Sequence, residues 1–315
     1  AIDVKSIAAL PKGRTEHVIF FGTPEIAVGP LRALVAAGFA VDLVVTGVDK
    51  RRGRGSQTSP SPVKQAAIEL QLPVTHEVSD AIALVASSDA KFAGSYVGVV
   101  VAYGHIISSE ALQVLPMINI HYSLLPRWRG AAPVERALLA GDEQTGVCIM
   151  QVVEQLDAGD ILSSATTQIS QTDTTTTLRS RLGEIANPML IEVLSNGVST
   201  TQPQTGDIVV AAKITQADLE IDWSKPAAVI DRQVRVGGAF TFFHDKRFKI
   251  HSLKVSTEIF IAKPGNMVVV NDRVLVACGQ GVVELVEIQP EGKPRISAQD
   301  WKKGARLDAQ SRLGS

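Results

Sequence analysis

The sequence predicts an α/β protein: a Rossmann-like, mostly parallel sheet followed by a smaller C-terminal β-barrel domain. Three observations carry this reading. The run Tyr96–Tyr103 is continuously apolar, which suits a parallel strand covered on both faces. Residues 17–48 read strand, helix, strand, the βαβ unit that builds parallel sheets. After residue 208 the rhythm changes to short strands separated by Gly, Asn and Asp turns, as in a small barrel or sandwich. A chain of 315 residues has room for two domains. The expected divisions are an N-terminal extension at 1–16 outside the fold, a first domain at 17–197, a linker rich in Thr, Gln, Pro and Gly at 198–208, and a second domain at 209–315.

The elements follow in order. His17–Phe21 is a short buried strand. Gly22-Thr23-Pro24-Glu25 turns it into a helix, with Thr23 as N-cap, Pro24 at the first helical position and Glu25 in the first turn. The helix should stop at Gly38, and Val41–Val48 is the next strand. That first turn lacks the Gly-x-Gly-x-x-Gly fingerprint, which argues against a nicotinamide cofactor. Residues 49–64 break the pattern, with Lys50, Arg51, Arg52 and Arg54 followed by Gly, Ser and Pro. Such a stretch cannot be a core element. It is a mobile basic loop, either solvated without a partner or holding phosphates with its guanidinium forks. Helices are expected from Pro62 to about Gln71 and from Ser79 to about Ser87, with an extended piece at Leu72–Thr75 between them. Met117–His121 and Gly146–Val153 read as strands, Ala132–Ala140 and Thr175–Leu194 as helices. In the second domain, Pro226–Arg235 is helical. Strands follow around Arg247–Val255, Gly265–Val270, Arg273–Cys278 and Val282–Gln289, and Ser297 caps a last short helix.

Hydrophobic content of 45% with 20% charged residues is that of a soluble globular protein and excludes a disordered chain. The net charge of −1 divides into +3 over residues 207–315 and −4 over 1–206, weak support for a nucleic-acid partner and equally that of an ordinary mixed surface. Cys148 and Cys278 are far apart, in no metal-ligand spacing, and flanked by apolar residues. They read as buried free thiols in a reducing, cytoplasmic setting, with no metal expected. No apolar run reaches the roughly 18 residues of a membrane span, and no signal-peptide pattern opens the chain. A monomer is expected, because no long exposed apolar edge is evident.

The stretch the rest is organised around is residues 118–133. Ile118 and Ile120 alternate with Asn119 and His121, so one face of a strand is apolar and the other carries an amide and an imidazole. The tripeptide alone fits a hydrogen-bonded core pair as well as a catalytic one. Its position does more, because loops at the carboxyl ends of strands in open α/β sheets are where ligands bind. The run Ser123-Leu124-Leu125-Pro126-Arg127-Trp128-Arg129-Gly130-Ala131-Ala132-Pro133 resembles the signature of the folate-dependent formyltransferases, in particular of the branch that acts on methionyl-tRNA. Phe21-Gly22-Thr23-Pro24, Gly53-Arg54-Gly55, Ile221-Asp222-Trp223-Ser224 and Ser297-Ala298-Gln299-Asp300 resemble it too. Two departures stand out. Ser56 and Gln57 replace lysines common after the Gly-Arg-Gly core, and 236–240 lacks a Pro-Trp pair often seen there.

The resemblance implies the formyltransferase fold, with 17–197 as catalytic domain and 209–315 as a tRNA-binding barrel. It implies transfer of a formyl group from the co-substrate 10-formyltetrahydrofolate to the amine of initiator methionyl-tRNA. It maps the catalytic set onto Asn119, His121 and Asp157; Asp157, not Asp160, occupies the Leu-Asp-x-Gly slot, where the residues alone suggest only a turn former. Ser123, Leu124, Leu125, Pro126, Tyr103 and Gly104 would line the tetrahydrofolate site. Lys50, Arg51, Arg52 and Arg54 would contact the tRNA. In such a site Asn119 and protonated His121 stabilise charge on the formyl oxygen, and imidazole and carboxylate move protons. Rivals with the same three residues act on sugar nucleotides or glycinamide ribonucleotide, or hydrolyse the formyl donor. A silent tRNA- or folate-binding protein is the rival of another class.

Overall fold

The computed structural model describes residues 7–51, 58–88, 95–198, 200–308 and 310–314. Two compact units emerge. Unit 1 comprises Ala1–Pro133, Gln144–Gln168 and Arg179–Ala211; unit 2 comprises Val134–Glu143, Ile169–Leu178 and Ala212–Ser315. The strands of unit 1, in chain order, are β1 (His17–Gly22), β2 (Ala40–Val45), β3 (Lys50–Arg51), β4 (Thr58–Ser59), β5 (Val74–Thr75), β6 (Tyr96–Val101), β7 (Met117–His121), β8 (Arg127–Gly130), β9 (Gln144–Gln151), β10 (Ile161–Gln168) and β11 (Val209–Ala211). Among the described residues, seven form one sheet in the order β10-β9-β7-β6-β1-β2-β5. From β7 to β5 every neighbouring pair is parallel, and β9 and β10 add an antiparallel edge. Phe20 and Phe21 point to opposite faces of β1 and both are 0% exposed, so both faces are covered. That explains why β1 and β6 are apolar without alternation.

The helices are α1 (Val28–Ala36), α2 (Pro62–Glu69), α3 (Val78–Ser87), α4 (Ser109–Val114), α5 (Pro133–Ala140), α6 (Thr175–Asn196), α7 (Gln216–Leu219), α8 (Ala227–Val236) and α9 (Ala298–Ala305). Ser61 caps α2 by accepting from Lys64 N at 3.0 Å, with Pro62 at the first helical position. Gly38, at φ +78°, turns the chain after α1.

Three expectations are corrected. Thr23 does not cap a helix beginning at Pro24. Pro24 is extended, a 3₁₀ turn occupies Glu25–Ala27, and α1 starts at Val28. The Thr23 hydroxyl instead accepts from Gly47 N at 3.1 Å and donates to Tyr103 O at 3.3 Å, joining the segments that follow β2 and β6. Residues 7–16 are not outside the fold: Ala8 N donates to Leu112 O, Thr15 N donates to Leu194 O, and Thr15 is buried. The base of the basic loop is paired, with β3 and β4 antiparallel and Lys50 opposite Ser59. Lys64 Nζ anchors it with 2.9 Å contacts to both Asp49 oxygens.

Unit 2 is built on β12 (Phe240–Phe243), β13 (Lys246–Ser256), β14 (Met267–Val270), β15 (Arg273–Ala277), β16 (Val282–Pro290) and β17 (Ile296–Ser297). Among the described residues these form one antiparallel sheet, ordered β12-β13-β16-β15-β14 with β17 beside β16. The C-terminal segment bridges its two outer strands. Met267 N donates to Ser311 O at 2.9 Å on the β14 side, and Gly314 N donates to Phe242 O at 2.8 Å on the β12 side. Inside lie Ile230, Phe248, Val274, Val276, Val283 and Ile288, all nearly inaccessible. Trp223 Nε1 donates to the buried Thr241 hydroxyl at 3.0 Å, which satisfies the indole within this core. Among the described residues no helix is long and apolar enough to cross a membrane.

Both cysteines are buried free thiols. Burial pushes the Cys278 thiol up to about 11, only partly offset by a hydrogen bond involving the Val283 backbone. Its folded pKa lies above its unfolded value of roughly 8.5. The corresponding stability is therefore fully present below that value and is lost as pH rises through about 11. Urea midpoints between pH 8 and pH 11 should fall more steeply for the native chain than for Cys278→Ala. Equal slopes would show that the thiol ionises as easily folded as unfolded.

Candidate active site

β7 is a central strand, hydrogen-bonded to β6 on one side and β9 on the other. Its alternation puts Ile118 and Ile120 into the core and places Asn119 and His121 together on the other face. His121 is 5% exposed, and its Nε2 lies 2.8 Å from Trp128 O. A carbonyl oxygen can only accept, so Nε2 carries a proton. Nδ1 then faces Asp157 Oδ2 at 3.6 Å. The separation exceeds a hydrogen bond, so the two groups face each other without a direct bond.

Asp157 is the hub. Its Oδ1 accepts from Asn119 Nδ2 at 3.3 Å, and its Oδ2 accepts from Gly130 N at 2.8 Å. The residue sits in the left-handed region at φ +49°, which aspartate tolerates better than most side chains. Asp160, three residues on, takes no part in this arrangement: its Oδ2 accepts from the Thr201 hydroxyl at 2.8 Å.

The loop between β7 and α5 builds the rest. Leu125–Pro126 is a cis peptide. Ser123 is 0% exposed and its hydroxyl donates to Arg127 O at 2.6 Å, bracing the loop from within. Leu124 is half-buried, and Leu125 and Pro126 are buried. Arg127 lies 4.4 Å over the Trp128 ring, while Trp128 itself adopts φ +68°. Gly130 has φ +120°, and a Cβ there would meet Ala211 O at 2.9 Å, so only glycine brings its N–H onto Asp157. The Tyr122 hydroxyl points to Ile26 O at 3.5 Å, and burial pushes its ionisation far up, so this neighbour of His121 cannot serve as a base.

Tyr103 and Gly104 follow β6. Tyr103 is buried and packs edge-on against Phe21 at 5.6 Å, and burial, with Glu77 nearby, raises its phenol. Gly104 is exposed, at φ +79°. Lys50 and Arg51 lie on β3; Arg52 and Arg54 fall outside the described residues. Sequence reasoning missed Trp128, whose carbonyl meets His121 Nε2, and Gln204, which lies in the segment read as a linker. Gly130 did carry a signal, as the glycine at which Arg127-Trp128-Arg129 gives way to small residues.

The family described as "Formyl transferase" matches residues 17–194, and "Formyl transferase, C-terminal domain" matches residues 213–306. The chain is 39% identical over 314 residues to a methionyl-tRNA formyltransferase of Methylococcus capsulatus, covering 95% of this chain and 100% of that one. It is 40% identical to a methionyl-tRNA formyltransferase of Corynebacterium diphtheriae, covering 91% and 96% respectively. Among solved structures it is similar to HypX from Aquifex aeolicus in complex with tetrahydrofolic acid, with a TM-score of 0.63 at 15% identity. That match covers 93% of this chain and 47% of HypX, so the chain spans about half the length of that protein. It is also similar to WlaRD, a sugar 3N-formyl transferase, with a TM-score of 0.61 at 16% identity, covering 90% of this chain and 100% of that one. At these identities the two structures speak for the fold alone. A mostly parallel sheet with Asn119 and His121 on β7 and Asp157 in the turn between β9 and β10, followed by a C-terminal part matched on its own account, leaves one conclusion: the chain belongs to the formyl transferase family.

Proposed function

We propose that this chain transfers the formyl group of 10-formyltetrahydrofolate to the α-amine of methionyl-initiator tRNA, giving N-formylmethionyl-tRNA for translation initiation. The observation that carries this reading is the shared carboxylate of Asp157, bonded to Asn119 and Gly130 and facing His121. The relatives at 39–40% identity, both methionyl-tRNA formyltransferases, supply the acceptor.

In the reaction the amine nitrogen bonds to the formyl carbon, and the bond from that carbon to the folate nitrogen breaks. Negative charge builds on the formyl oxygen between these events. One Nδ2 hydrogen of Asn119 is spent on Asp157, and the other is free to donate; in this reading a protonated His121 donates from Nδ1, which faces the same carboxylate. Donors already in place when charge develops are usually the largest catalytic contribution. The amine must lose a proton and the folate nitrogen must gain one; Asp157 and His121 are the groups placed to exchange them. Leu124, Leu125, Pro126 and the Gly104 backbone form the folate-facing surface in this reading, with Ser123 and Tyr103 as its frame.

The proposal assigns 17–197 to catalysis, 198–208 to a linker and 209–315 to tRNA binding, supported by separate family matches at 17–194 and 213–306. It takes the chain for a monomer and, because its two buried cysteines are free thiols as in a reducing compartment, for a cytoplasmic one. Lys50, Arg51, Arg52 and Arg54 contact phosphates. Replacing all four by glutamine should flatten the plot of log affinity for tRNA against log salt by about 3 units. An unchanged slope would remove the loop from the interface.

The test of function is an assay with 10-formyltetrahydrofolate and three acceptors: charged initiator methionyl-tRNA, free methionine and an amino-sugar nucleotide. Formylation of the charged tRNA alone is expected. Release of formate with no acceptor modified would point to the hydrolase reading.

A further inference from the structure

We infer that Gln204 is a positioning residue for the formyl-transfer reaction, acting through a closed circuit of hydrogen bonds that returns to Asp157. The inference rests on the functional reading above and adds a residue to it. Gln204 Nε2 donates to Asp157 O at 2.9 Å and to Gly159 O at 2.8 Å. Its Oε1 accepts from Arg129 Nε at 3.0 Å and Nη2 at 2.6 Å. These bonds use both amide hydrogens and both carbonyl lone pairs, so the side chain has a single way to sit.

Both ends of the clamp lead to the same carboxylate. Arg129 precedes Gly130, whose N–H holds Asp157 Oδ2, and follows Trp128, whose carbonyl holds His121 Nε2. On the other side the clamp grips the turn on which Asp157 adopts its left-handed conformation. Gln204 thus ties the strand that fixes His121 to the turn that fixes Asp157. A shift of about 1 Å between reacting groups can lower a rate about 100-fold.

The flanking contacts define a control. Gln202 pairs with Ile161 through both backbone bonds, and the Thr201 hydroxyl bonds Asp160. These hold the same segment without touching Asp157. Thr201→Val therefore weakens the segment and spares the clamp. Gln204→Met keeps the volume and removes all four bonds. Gln204→Glu keeps an acceptor for Arg129 and removes the two donors to the turn.

The experiment measures kcat and KM for tRNA and for the formyl donor in the full chain, together with the ring ¹⁵N signals of His121, assigned by their loss in His121→Asn. Gln204→Met and Gln204→Glu are each expected to lower kcat about 30-fold, with both KM values within about twofold. The His121 ring signals should move in both variants and stay in place in Thr201→Val, which should keep full kcat. A native kcat in either Gln204 variant, or an equal loss in Thr201→Val, overturns the inference. If the unaltered chain formylates no methionyl-tRNA, the functional reading fails; the His121 signals still decide the clamp.

Discussion

Asp157→Asn is expected to lower kcat for formyl transfer about 1,000-fold, with KM for methionyl-tRNA nearly unchanged. The two Asp157 oxygens do different work. Oδ1 accepts from Asn119 and Oδ2 accepts from Gly130 while facing His121 Nδ1. An asparagine amide offers one acceptor and one donor group. Whichever way it turns, its NH₂ meets either the Asn119 amide or the Gly130 N–H, donor against donor. The negative charge opposite the imidazole is lost as well. The cost to folding should be modest, about 1–3 kcal/mol for one unsatisfied buried group. Steady-state kinetics beside a urea titration separates the two effects. A kcat within fivefold of native would show that the carboxylate is no more than a turn former.

Gly159→Ala is expected to destabilise unit 1 by about 3 kcal/mol and to cost most of the activity. A Cβ at this position would lie 1.9 Å from Gln151 O and 2.8 Å from Gln151 C, both backbone atoms of β9 or its end. Neither can swing aside, so the turn must move. It carries Asp157 two residues earlier, and Gly159 O is itself held by Gln204. Gly183→Ala is the matching control. It lies within α6 with nothing within 4 Å of an added Cβ, and alanine should stabilise it there by about 0.5–1 kcal/mol. Urea midpoints of opposite sign in the two variants are expected. A Gly159→Ala chain of native midpoint and activity would contradict the packing described here.

The Leu-Asp-x-Gly pattern was visible in the sequence; the carbonyl that forbids a side chain at Gly159 was not. This contrast runs through the molecule. Asn119 and His121 were legible because strand alternation sets them apart from Ile118 and Ile120. The central strands were legible because burial on two faces leaves an unbroken apolar run. β10 was not, because as an edge strand its Ser163-Ser164-Ala165-Thr166-Thr167 shows no apolar alternation. β8 was hidden behind proline, arginine and a tryptophan at positive φ, a conformation that tryptophan does not advertise. Thr23 reads as a cap because capping is local, yet its partners are Gly47 and Tyr103, far along the chain. Gln204 had no local signal at all. A glutamine in a polar stretch looks like solvent-facing linker until tertiary structure supplies Arg129 and two carbonyls.

The central claim is that His121 and its partners perform the transfer while the rest of the chain presents the tRNA. The most direct measurement is a single-turnover transfer of labelled formyl group to bound methionyl-tRNA, made on the native chain and on His121→Ala, with the affinity for tRNA measured on both. Transfer is expected in the native chain, with a rate lower by at least about 100-fold in His121→Ala and the same tRNA affinity in each. Transfer at the native rate without the imidazole would contradict the claim.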